Sequence, residues 1–306
     1  MPQMNSEFGY YPNSLNFTVD DIIVSTLAGL DQSVIAVQNS AKVENDWIYP
    51  GMMERHSQSG EVRYLPYASR VFGLPKTHMI EHANADNQEH LDFLVWALSF
   101  FTGMRLTTTE AGFIDATPIK QSKLVDFWHS GRDCPKALKL AEAFWQANKL
   151  DPNRAKLWSA AVHVLFVSHW PHALQFEQFI YLYGALDTCF ALMRRITSLS
   201  QKIHYSARIK WMCQYFNMPV PTWASPASSG SSKVAHIRNA TIHESLFMAA
   251  PLGFALHGIG TDQTLILEMQ ALTCRLLAAI LGLANTDYVR SSTGSRQMHG
   301  IDFGPV

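Results

Sequence analysis

Cysteine is scarce. Cys134, Cys189, Cys213 and Cys274 are the only ones in 306 residues. No two stand at the short spacing of a zinc knuckle or a dithiol motif. This excludes a disulfide-stapled scaffold. Three of the four sit in apolar helical surroundings, so the reading is reduced core thiols in a cytoplasmic protein. Charge is scarce too. Asp, Glu, Lys and Arg make up 16% of the chain and the net charge is −1. No global basic field draws in nucleic acid, and any RNA contact must rest on a local patch. Long apolar runs are missing. Phe93–Met104 is too short to cross a bilayer. The stretch near Leu265–Leu283 is longer but carries Glu268, Gln270 and Arg275, so no membrane partner is expected. The N-terminus, Met1-Pro-Gln-Met-Asn-Ser-Glu7, is polar and does not read as a secretory leader. Gly51, Gly60 and Gly73 are isolated turn glycines, not a phosphate loop, and no Gly-x-Ser-x-Gly elbow occurs.

Hydrophobic residues make up 47% of the chain, enough for a large core. The length suggests two domains. The first, residues 1–130, reads as mixed and β-rich. Leu15–Val19 alternates apolar and polar, and Ile22–Thr26, Ser33–Val37 and Glu61–Leu65 are candidate strands. Asp86-Asn-Gln-Glu89 looks like a capping box opening a helix that runs to about Thr102, where Gly103 stops it. The second domain, residues 131–306, reads as all helical. Helices are expected from Cys134-Pro135, from Asp151 to Val167, from about His172 to Ser198 and from Ser206 to Phe216. The fold class is therefore α+β.

The long helix carries Phe176, Phe179, Tyr183, Leu186, Phe190 and Met193 at steps of three and four. That is an a/d seam of large side chains and a candidate dimer surface. A loop from Pro219 to Ser232 then delivers the chain to Lys233–Phe247. A last helix follows, capped at Thr261-Asp262, striped with Leu265, Leu272, Leu276, Ala279 and Leu283, and ended at Gly282. The tail from Asn285 is polar and reads as loose.

The stretch from Lys233 holds the chemistry. Arg238 is a fixed cation, Asn239 a carboxamide, and His243 a base that titrates near neutrality. These suit cleavage of a phosphodiester without a metal. Arg238 and His243 are about 140° apart around a helix, so a plain helix does not aim both at one point. Asn239 and His243, at i and i+4, share a face. Two copies of the helix across a two-fold axis would pool two Arg and two His in one cleft.

Arg238-Asn239-x-x-x-His243 resembles the Arg-polar-x(3–5)-His motif of HEPN domains, helical modules found in many prokaryotic toxin and defence ribonucleases. The helical order over roughly residues 155–290 is also similar to that family. The two-part layout resembles ApeA-like abortive-infection proteins. The resemblance implies a homodimeric, cofactor-free endoribonuclease. The ribose 2′-hydroxyl would attack phosphorus, with His243 as base or acid, Arg238 on the phosphorane oxygens and Asn239 as orienter. Asp187, on the long helix, would orient Arg238. Lys233, His236 and Lys202 would touch RNA phosphates. The N-terminal domain would sense a phage- or cell-derived trigger.

Two other readings stay open. One is a HEPN module without activity, serving dimerisation or docking. The other is a zinc hydrolase. His78-x-x-Glu81-His82 matches an inverted zinc-protease pattern, which needs a helix and a third ligand, with Glu142 the nearest candidate. His163, His169 and His172 form a further cluster, read as capping or interface histidines because Pro171 interrupts the helix between them.

Overall fold

The structure is a computed structural model. It describes residues 3–68, 73–109, 116–226, 230–244, 264–294 and 299–303. The fold is α+β, with antiparallel sheets first and helices after. The chain forms two compact units. One holds Met1–Leu124 and Ser130–Ala141, the other Val125–His129 and Glu142–Val306. The last change of unit falls inside a helix, between Ala141 and Glu142, and Val125–His129 belongs with the second unit.

The first unit is built on a four-stranded antiparallel sheet. Its strands are β1 (Met4–Phe8), β2 (Phe17–Val19), β3 (Ile22–Thr26) and, in the interior, the strand His78–His82. Leu30–Gln38 is a helix, α1, where the β-branched run Ser33–Val37 had pointed to a strand. Gly29, at φ 85°, turns the chain into it. Leu30 and Val37, two turns apart, supply its buried face, so tertiary burial at helical spacing overrides local β-propensity. Two short strands, β4 (Val43–Glu44) and β5 (Trp47–Ile48), follow. A hairpin of β6 (Met52–His56) and β7 (Val62–Ala68) stands apart from both sheets.

The His78–His82 strand is β8, so the His78-x-x-Glu81-His82 pattern does not lie on a helix. His78, Ile80 and His82 turn to the buried face, while Met79 and Glu81 alternate with them. Strand geometry sends Glu81 to the opposite face from both histidines. It also spreads His78 and His82 over about 13 Å of strand. The helical display that the zinc pattern needs is not there. Desolvation lowers the His78 pKa to about 4. Phe8 stacks on its ring and the Thr77 hydroxyl lies 2.9 Å from Nδ1.

Helix α2 (Gln88–Thr102) packs on β1 and is buried on most faces. The Asn87 side chain caps it by accepting from the His90 N–H at 3.1 Å. Gly103, in the left-handed conformation at φ 61°, closes it. β9 (Thr117–Pro118) completes a three-stranded sheet with β4 and β5. Helix α3 (Cys134–Asn148) begins in this unit and ends in the other.

In the second unit, β10 (Phe127–Trp128) precedes the main helices. These are α4 (Asn153–Val167), α5 (Gln175–Ile196), α6 (Arg208–Tyr215), α7 (Lys233–Glu244) and α8 (Leu265–Ala278). Helices α4, α5 and α8 pack on one another. The seam of α5 is spent on this packing. Phe179, Tyr183, Leu186, Phe190 and Met193 are all buried inside the chain. Those side chains therefore cannot form a dimer surface, because the same apolar area already stabilises the subunit.

Helix α8 runs on through a π turn to Leu283, and Gly282, at φ 113°, breaks it. Leu265–Leu283 is long and apolar enough to cross a membrane, yet 78% of its apolar window is buried within the chain. That burial marks a core helix. The predicted cap Thr261-Asp262 lies outside the described residues. Among its described residues the tail is ordered. It forms a short helix, α9 (Asp287–Arg290), and a strand, β11 (His299–Gly300), parallel to β10. Tyr288, Ile301 and Phe303 are buried. All four cysteines are buried and unbonded.

Candidate functional site

The loop that leads to helix α7 is pinned at Trp223. Trp223 is buried and its indole N–H donates to Glu268 at 2.9 Å. The carbonyl of Ser232 then accepts from the His236 N–H at 3.0 Å, which starts the helix. Val234, Ala235 and Thr241 face inward and fix its rotation. That rotation leaves Arg238 and Asn239 half-buried and His243 exposed.

The helix alone does not aim Arg238 at His243, but the guanidinium closes the gap. Its Nη1 lies 3.2 Å from His243 Nε2 and 3.0 Å from Asn239 Oδ1. A guanidinium can only donate, so His243 accepts on a neutral Nε2, with its ring proton on Nδ1. Asn239 in turn donates from Nδ2 to the Tyr205 hydroxyl at 2.7 Å. Two aromatic rings flank the cation. Its central carbon is 5.8 Å from the Tyr205 ring and 6.0 Å from the Tyr183 ring, within cation–π range. Burial pushes the Tyr183 hydroxyl up to about 12, so it stays protonated at any physiological pH.

Three of the sequence-derived residues thus meet within one subunit. Asp187 does not join them. It pairs with Arg208 at 2.8 Å, and the Arg208 guanidinium sits 4.9 Å from the Phe190 ring. The closer cation on α6 takes the carboxylate that Arg238 was expected to use. Lys233, His236 and Lys202 are exposed, as a phosphate contact requires. Tyr205 and Tyr183 were not legible as site residues. Tyr205 lies 33 positions before Arg238 in a 3-10 turn, and no spacing rule connects them.

The other histidine cluster does not form a site. His169 closes the end of α4 by donating from Nδ1 to the Leu165 carbonyl at 2.9 Å, and desolvation holds its pKa below the usual imidazole range. His172 lies edge-on to the Trp170 ring. His169 therefore has the capping role expected of it.

No protein-family model, curated protein or solved structure matches this chain.

Proposed function

We propose that the helical unit is a metal-independent endoribonuclease of the HEPN type. The observation that carries this reading is the contact of Arg238 Nη1 with His243 Nε2 at 3.2 Å, on a half-open surface and braced by Asn239. A bound RNA phosphate would draw the guanidinium onto its non-bridging oxygens and release the imidazole lone pair. His243 then accepts the proton of the ribose 2′-hydroxyl. The new 2′ O–P bond forms as the 5′ O–P bond breaks, and the leaving oxygen takes up a proton. The products are a 2′,3′-cyclic phosphate and a 5′-hydroxyl. Arg238 offsets the charge that builds on the phosphorane.

One imidazole cannot hold both proton-transfer roles in the same step, which favours a homodimer with a second His243 as acid. Such a dimer must form through surfaces other than the α5 seam. The N-terminal unit would sense a trigger, in a defence or toxin setting. Four buried, unbonded thiols suit a reducing cytoplasm.

A second reading is a HEPN module without activity. The same contact favours it, because in this state Arg238 occupies the lone pair that a base needs. Labelled RNA incubated with the full chain in EDTA separates the two. Cleavage to a cyclic phosphate, lost in both Arg238→Ala and His243→Ala, supports the nuclease. Cleavage retained in either folded variant overturns these roles.

A further inference from the structure

The Tyr205 hydroxyl is fixed by simple donor counting. Arg238 has only donors, so Asn239 must present Oδ1 to it. The Asn239 amide nitrogen then faces Tyr205, and that nitrogen can only donate. Tyr205 therefore accepts from Asn239, and its own hydroxyl proton must point elsewhere. The ring that carries it is held firmly. His204 caps the 3-10 turn Tyr205–Ala207, and the two rings lie 4.1 Å apart between centroids. The Tyr205 carbonyl accepts from the Arg208 N–H as α6 begins. Tyr205 is half-buried, so part of the residue meets solvent.

We infer that Tyr205 belongs to the phosphate site: it positions Asn239, and through it Arg238, and donates its hydroxyl proton to a phosphate oxygen of the bound RNA. The inference deepens the ribonuclease reading and rests on it for the ligand. The alternative is that the ring merely packs beside Arg238. The hydroxyl separates the two, since Tyr205→Phe keeps the ring and removes only the donor and acceptor.

The test uses the full chain, wild type and Tyr205→Phe. A 2′-deoxy oligonucleotide, which binds but cannot be cleaved by 2′-hydroxyl attack, serves as the binding probe. Tyr205→Phe is expected to lower its affinity about tenfold and kcat/KM on the matching RNA by roughly 10- to 100-fold, the range for hydrogen bonds to a charged partner. The side-chain amide resonances of Asn239 should move, and the melting temperature should stay put. Unchanged affinity with unmoved Asn239 resonances overturns the inference while leaving the nuclease reading standing. If the wild type binds the probe but cleaves no RNA, and Tyr205→Phe still weakens binding, the nuclease reading falls and the Tyr205 assignment survives. A wild type that binds no oligonucleotide overturns both.

Discussion

Two arginines of the helical unit sit against tyrosine rings, and they do opposite things. Arg275 on α8 is 1% exposed. Its guanidinium donates to Asp126, to the Ala271 carbonyl and to Ser291, and lies 4.7 Å from the Tyr288 ring. It ties β10, α8 and α9 together, so its bonds are spent on holding the fold. Arg238 is half-buried, donates to a neutral histidine and a carboxamide, and has no carboxylate among its described partners. Its charge is not neutralised, so an incoming anion gains from it. The lesson is that closure separates structure from chemistry. A buried guanidinium paired with a carboxylate stabilises, whereas a half-exposed one with only neutral described partners is available.

The hardest test of this contrast is Arg275→Ala. It removes a buried side chain and its bonds to Asp126, Ala271 and Ser291, and should lower stability by about 2–3 kcal/mol, read as a fall in melting temperature or denaturant midpoint. A neutral result there would erase the distinction. Arg238→Ala should do the reverse. Loss of an electrostatic stabiliser of the transition state costs roughly 10²- to 10³-fold in turnover. Its melting point should stay close to wild type, since a half-exposed side chain is removed. Equal destabilisation by the two variants would break the comparison.

His78 extends the contrast to histidine. It is closed in, whereas His243 is exposed. The unfolded chain protonates His78 below about pH 6.5, while in the fold its pKa is lowered to about 4. Between those values the unfolded state binds the extra proton, so stability falls as pH falls. The loss approaches about 3 kcal/mol at the acid end, and replacing His78 with Phe should flatten that part of the profile. A pH–stability curve identical in wild type and variant would count against it. The smallest effect belongs to Asp187→Asn. Its pair with Arg208 is partly exposed and should contribute under about 1 kcal/mol, with cleavage essentially retained. Loss of cleavage as deep as in Arg238→Ala would return Asp187 to the site.

Much of this was readable residue by residue. Gly103 and Gly282 end helices because both take positive φ. Asn87 caps α2, one place inside the expected capping box. The Arg238-Asn239-x-x-x-His243 spacing falls on one helix, as expected. The α5 seam was visible as a large apolar stripe, but the pattern does not say whether a stripe meets another subunit or its own chain. The pattern His78-x-x-Glu81-His82 lies on a strand, and metal-ligand spacing carries meaning only once helix or strand is known. Asn285 onward looked polar, yet Tyr288, Ile301 and Phe303 are enough to dock it.

The sequence by itself determined the β-rich first part, the helical second part and the buried character of α2, and it placed Arg238, Asn239 and His243 on one helix. These depend on local periodicity and residue type, which a linear pattern records. Only the tertiary structure decided that Arg238 reaches His243, that Arg208 takes Asp187, and that Asn239 bonds the Tyr205 hydroxyl. Side-chain reach and partner choice depend on distances between elements far apart in the chain, and no linear spacing encodes those.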